Sequence, residues 1–171
     1  MKKLSILIIA IVTSLQINAQ SKVGTIDVDY IISKMPLLEQ VNNDVNAYGK
    51  ELENQLKEKV SKYETLIKVY QENETSYTEE IKKTRRDEII AIEQDIQKFQ
   101  KNGSSLVQIR RNELMSPLYQ LIGDAMNTIA VDEKFTQIFT IDNSIAYLDP
   151  TYDITKKVMV KLEIPLPEEG K

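Results

Sequence analysis

The sequence predicts a mainly α protein with a small β base: a long antiparallel αα-hairpin arm projecting from a strand-containing oligomerisation domain. Three observations predict it. The 171 residues contain only 5 Gly and 5 Pro, punctuation too sparse for a many-turned β fold and favourable to long elements. Two runs in the middle of the chain carry apolar or tyrosine residues at steps of three and four, with a short polar stretch between them, the pattern of two amphipathic helices. Segments with the two-residue alternation of strands occur only towards the two ends.

The first 19 residues read as a signal peptide. Lys2 and Lys3 make a positive start, Leu4 to Leu15 form a short apolar run, and Ala19 is a small residue at the expected cut. The apolar run is too short to span about 30 Å of hydrocarbon as a stable helix. Cleavage after Ala19 makes Gln20 the mature N-terminus and implies export to the periplasm. No later segment approaches spanning length, so no integral membrane span is expected.

Residues 23–31 alternate, with Ile26, Val28 and Tyr30 on one side and Thr25, Asp27 and Asp29 on the other. A half-buried strand is expected there, with the two aspartates on a solvated face rather than in a metal site. Ser33 to Pro36 should stop the strand and start a helix, Ser33 as cap and Pro36 in the first turn. The first long helix then carries Val41, Val45, Tyr48, Leu52, Leu56, Val60, Tyr63, Ile67 and Tyr70 on one stripe, with Gly49 its only glycine. Residues 72–78 (ENETSYT) are the expected hairpin tip. The returning helix bears Ile81, Ile89, Ile92, Ile96, Phe99, Leu106 and Ile109, with Arg85 and Gly103 interrupting the stripe. A mean step of about 3.6 residues argues for nearly straight helices.

Ser116-Pro117 should kink or restart the helix. Strands are expected at 135–142 and 145–149 around an Asn143-Ser144 turn. Asp153 should cap a short helix over 154–162. The resulting organisation is 1–19 signal peptide, 20–35 with 116–164 base, 36–115 hairpin arm and 165–171 flexible tail. Three strands would leave edges exposed, and an oligomer that pairs those edges is the natural remedy. Ile26, Val28, Tyr30, Phe139, Ile141 and Tyr147 are the interface candidates.

Composition narrows function. There is no His and no Cys, which removes the commonest general base, the thiolate nucleophile and the usual soft metal ligands. The acidic residues are scattered along helices without a glycine-rich loop or nucleophile motif, so no enzyme, cofactor or metal is expected. With 26 acidic against 22 basic residues, the chain lacks the electrostatic footprint of a nucleic-acid binder.

The order VGTIDVDYIISKMP, two long charged helices, ELMSPLYQLIGDAMNTIAVDEKF, TQIFTIDNS and YLDPTYDITKKVMVKL resembles the Skp/OmpH family of periplasmic chaperones over about residues 23–164. The resemblance implies a jellyfish-shaped homotrimer with a β-barrel-like base. It further implies three hairpin arms around a cavity that holds unfolded outer-membrane β-barrel proteins without ATP, in the periplasm and close to the outer membrane. The family's enterobacterial members are basic, whereas this chain is acidic, with Glu72, Glu74, Glu79 and Glu80 at the arm tip. The candidate client-binding residues are Tyr63, Tyr70 and Tyr77, with Lys62, Lys68, Lys82 and Arg86 as nearby charges. The alternative for the tyrosines is packing inside the hairpin. The alternative for the whole chain is a structural envelope adaptor or spacer.

Overall fold

Residues 21–166 are described by a computed structural model. The expected signal peptide and most of the expected tail lie outside these residues. In chain order the elements are β1 (Val23–Ile26), α1 (Val28–Lys34), α2 (Leu37–Asn73), a 3-10 turn (Glu74–Ser76), α3 (Glu79–Asp132), β2 (Gln137–Thr140), a second 3-10 turn (Pro150–Tyr152) and α4 (Thr155–Lys161). The expected class is observed: long helices dominate and a single small sheet accompanies them. The described residues fall into two units, one made of those up to Met35 with those from Tyr119 onwards, the other of Pro36–Leu118.

In the first unit, β1 and β2 pair in parallel, with Val23 opposite Gln137 and Ile26 opposite Thr140. Parallel strands cannot be joined by a tight turn; here the connection is the whole helical middle of the chain. β1 is held on both sides. On one, Thr136 and Ile141 donate their N–H groups to the carbonyls of Lys22 and Ile26, both at 2.8 Å; on the other, Ile154 N–H donates to Thr25 at 2.9 Å. Around this pairing lies an apolar core in which Ile26, Ile31, Ile154, Val158 and Met159 are fully buried.

Two of the helices that end in this unit, α3 and α4, end alike. After α3, the N–H of Phe135 donates to Ala130 and that of Lys134 to Val131; after α4, Ile164 donates to Met159 and Glu163 to Val160. These are Schellman caps, which need a left-handed residue and usually take glycine. Here Lys134 and Glu163 adopt it, at φ 60° and 57°.

In the second unit, α2 and the first part of α3 pair. Tyr48 lies among Leu106, Ile109 and Arg110, Leu52 beside Phe99 and Gly103, and Lys59 against Asp95. The partners descend α3 as they ascend α2, so the two helices run in opposite directions. Every predicted stripe residue of α2 is buried or half-buried. On α3 the middle of the stripe is half-buried, while Ile81 and Ile109 at its ends are exposed.

Four local expectations are corrected. The predicted strand 23–31 is a strand only to Ile26. Asp27 ends it by accepting the Tyr30 N–H at 2.8 Å and capping α1, so a capping signal outweighs the two-residue alternation and Val28 and Tyr30 lie on a helix. Ser33 does not cap α2: its hydroxyl donates to the Tyr30 carbonyl. Met35, extended as residues before proline prefer, makes the break instead. Pro117 does not restart an element: it lies inside the single helix α3. Residues 145–149 form no strand; the Asn143-Ser144 turn forms, with Asp142 accepting from both the amide and the hydroxyl of Ser144.

Candidate functional site

The arm candidates divide into two places on the hairpin unit. Near the tip, the rings of Tyr70 and Tyr77 lie 6.3 Å apart and tilted, and the Tyr70 hydroxyl donates to Glu74 at 3.3 Å. Thr78 starts α3, its hydroxyl accepting the Ile81 N–H at 3.3 Å. Lys82 follows one turn later and donates to Glu79 at 2.9 Å. That bond, more than the remaining charge attraction, lowers the Glu79 carboxyl and raises the Lys82 ammonium from their ordinary values. Arg85 is likewise raised by its hydrogen bond to Glu88. Tyr70, Tyr77 and Lys82 are thus brought into one neighbourhood, in which Tyr70 adds to the field on Lys82. The tip is a patchwork of paired charges around two half-buried rings, without a single-sign field. Arg86 is exposed and acts weakly on Glu79. Lys68 is exposed and lies 3.9 Å from Glu72, a surface pair of little energetic weight.

Further along the hairpin, Lys62 borders a groove of about 560 Å3 between α2 and α3. Leu66 from α2 and Ala91 and Ile92 from α3 supply its apolar lining; Lys59, Glu88 and Asp95 supply the remaining polar lining. Lys59 and Asp95 are paired at 2.5 Å, and the Lys59 ammonium also lies 5.4 Å from the centre of the Phe99 ring. Tyr63 is half-buried on the α2 stripe. A second groove of about 300 Å3 lies where Gly49 and Gly103 both face the seam, beside Leu52, Leu56, Phe99 and Val107.

Sequence reasoning singled out Lys62 but missed the groove. The signal was available: with the tip near residue 77, inside the expected 72–78 turn, α2 positions reflect onto α3, which sets Lys59 near Asp95. It also noted Gly49 as the only glycine of the first long helix and Gly103 as a gap in the second stripe without placing them opposite one another.

The interface candidates scatter. Ile26 is 1% exposed and belongs to its own chain's core. Val28, Tyr30 and Ile141 are half-buried. Phe139 and Tyr147 are 53% and 84% exposed. β2 pairs with β1 alone in the sheet.

Among the described residues no cluster of acidic side chains could hold a metal ion, and no helix is long and apolar enough to cross a membrane. Asp27 is a cap and Asp29 is exposed. The arrangement offers shallow apolar surface flanked by charge.

The fold has a counterpart among solved structures. A protein from Caulobacter crescentus CB15, assigned as an OmpH-like outer membrane chaperone, superposes with a TM-score of 0.62 at 13% sequence identity, covering 85% of each chain. At that identity the likeness is one of fold. No curated protein matches the sequence. The model of the OmpH-like outer membrane protein family matches residues 22–162, and the chain belongs to that family.

Proposed function

We propose that this chain is an exported, ATP-independent periplasmic holdase that keeps unfolded outer-membrane β-barrel proteins from aggregating. The mature chain begins at Gln20 after removal of residues 1–19 and works as a homotrimer, with clients held between the hairpins of its three copies. The observation that carries the reading is the hairpin unit itself. Its long helices bear apolar and tyrosine stripes that two helices bury only in part, flanked throughout by charge. Such a surface makes many weak contacts and no tight one, which suits an unfolded client. Tyrosine, at 8 of the chain's residues against 3 phenylalanines, adds an apolar ring with a polar handle. Membership in the OmpH-like family and the chaperone assignment of the Caulobacter protein support the same reading.

In this reading the first unit assembles the trimer. Phe139 and Tyr147, the exposed members of the interface set, and the unpaired edge of β2 are its contact elements, with Val28, Tyr30 and Ile141 at their margin. Ile26 contributes by holding the strand in place. The client contacts fall to Tyr63, Tyr70 and Tyr77, with Lys62, Lys68, Lys82 and Arg86 beside them.

The test is light scattering after a urea-unfolded β-barrel protein is diluted with and without the mature chain, repeated with several unrelated clients. Suppression of all of them is expected. Binding of one defined folded partner without suppression would mark an envelope adaptor instead.

A further inference from the structure

The groove beside Lys62 combines an apolar floor with an uneven charge rim. Leu66, Ala91 and Ile92 form the floor. Two of the rim's carboxylates are already neutralised: Asp95 by Lys59 at 2.5 Å and Glu88 by Arg85 at 2.7 Å. Lys62 is exposed and, among the described residues, makes no ion pair. The rim therefore presents one uncompensated positive charge in a chain that is acidic overall. The groove's volume, about 560 Å3, falls in the range of ligand-sized clefts.

We propose that this groove is a docking subsite for a short extended stretch of client polypeptide, seating an apolar side chain on Leu66, Ala91 and Ile92 while a neighbouring carboxylate of the client pairs with Lys62. The occupant is set by charge complementarity. A basic side chain would meet Lys62 with like charge, and the groove's carboxylates are engaged elsewhere. The inference rests on the chaperone reading for its natural occupant, but its chemistry can be tested without it. It also gives the diffuse hairpin surface a local preference: among otherwise similar apolar segments, those flanked by Asp or Glu dwell longest.

The probes are two fluorescein-labelled ten-residue peptides of alternating Leu and Ser around a central Phe, one with Asp next to the Phe and the other with Asn there. Binding to the full mature chain is followed by fluorescence anisotropy at about 0.1 M salt, where the protein's distant charges are largely screened. An exposed charge pair contributes at most roughly a fivefold preference, so the Asp peptide should bind about two- to fivefold more tightly than the Asn peptide. Lys62→Gln should equalise the two, and Lys62→Glu should reverse the order by a similar factor. Ala91→Trp, which fills the floor, should weaken both, and circular dichroism checks that each variant keeps its helicity. Equal affinities in the unsubstituted protein, an order unchanged in Lys62→Glu, or no binding of either peptide overturns the proposal. Aggregation suppression measured on the same samples separates the two ideas. A protein that protects whole clients without discriminating the peptides refutes the groove alone; one that discriminates the peptides and protects nothing refutes the chaperone reading alone.

Discussion

Gly24 should resist even the smallest substitution. It lies in β1, buried, in the first unit. A Cβ built there would sit 2.8 Å and 3.0 Å from two ring carbons of Phe135 and 3.3 Å from the Tyr152 carbonyl oxygen. The ring cannot yield freely. Phe135 is the residue whose N–H closes the cap of α3 on Ala130, and the Lys22 ammonium lies 3.9 Å over its face. Overpacking of this kind costs about 1–3 kcal/mol. Removing a glycine from the unfolded chain returns roughly 0.4–1 kcal/mol. Gly24→Ala should therefore destabilise the protein by about 1–2 kcal/mol. At roughly 2–4 °C per kcal/mol for a chain of this size, the melting temperature should drop by about 2–8 °C. Urea and thermal unfolding at fixed protein concentration measure it. Gly103→Ala is the internal control, since nothing lies within 4 Å of its added methyl and it sits inside α3, where alanine is favoured by about 1 kcal/mol. A Gly24→Ala protein as stable as the unsubstituted one, or more so, would refute the packing argument. So would a cycle in which Phe135→Leu fails to relieve the penalty.

Thr155 accepts the Asp27 N–H at 2.8 Å and donates to Asp153 at 2.5 Å while buried; Thr155→Val should cost about 1–3 kcal/mol in urea unfolding by stranding that N–H, and Thr155→Ser should cost less. Glu133 receives Lys157 at 2.5 Å and Lys22 at 3.1 Å, which hold its carboxyl below the usual range. Its contribution is therefore present above the unfolded-state value and lost as pH falls through the lowered folded one, so Glu133→Gln should flatten the acid limb of a plot of stability against pH below about 4.5. Lys134→Gly should raise the melting temperature, because the left-handed conformation at φ 60° costs a side-chain-bearing residue about 1 kcal/mol; an unchanged or lower value would count against strain at that cap.

The long elements were legible because their signal is repeated many times. Nine positions from Val41 to Tyr70 mark one face of α2, and all are buried or half-buried. Where a signal rests on a few residues, a competing one can win. The alternation of Ile26, Val28 and Tyr30 read as strand, yet a single side-chain bond from Asp27 to the Tyr30 amide turns the chain into α1. Residues 145–149 carry strand-like composition, but composition supplies no partner; here the place beside β1 opposite β2 is taken by the bridge to Asp153. Pro117 marked a break because proline forfeits one helical hydrogen bond, a local cost that neighbouring burial of Met115, Leu118 and Ile122 offsets. The groove at Lys62 depended on the register between α2 and α3, a pairing property that no single helix carries.

The central claim, that the hairpin unit bears the client, is tested most directly by site-specific photo-cross-linking. A photoreactive residue is placed in turn at Tyr63, Tyr70 and Tyr77 on the hairpin and at Phe139, Tyr147 and Tyr152 in the first unit. A urea-unfolded β-barrel protein is then diluted into each variant and irradiated. Client adducts should form from all three hairpin positions and be absent from the first unit. Adducts confined to Phe139, Tyr147 and Tyr152, with none from the hairpin, would contradict the account.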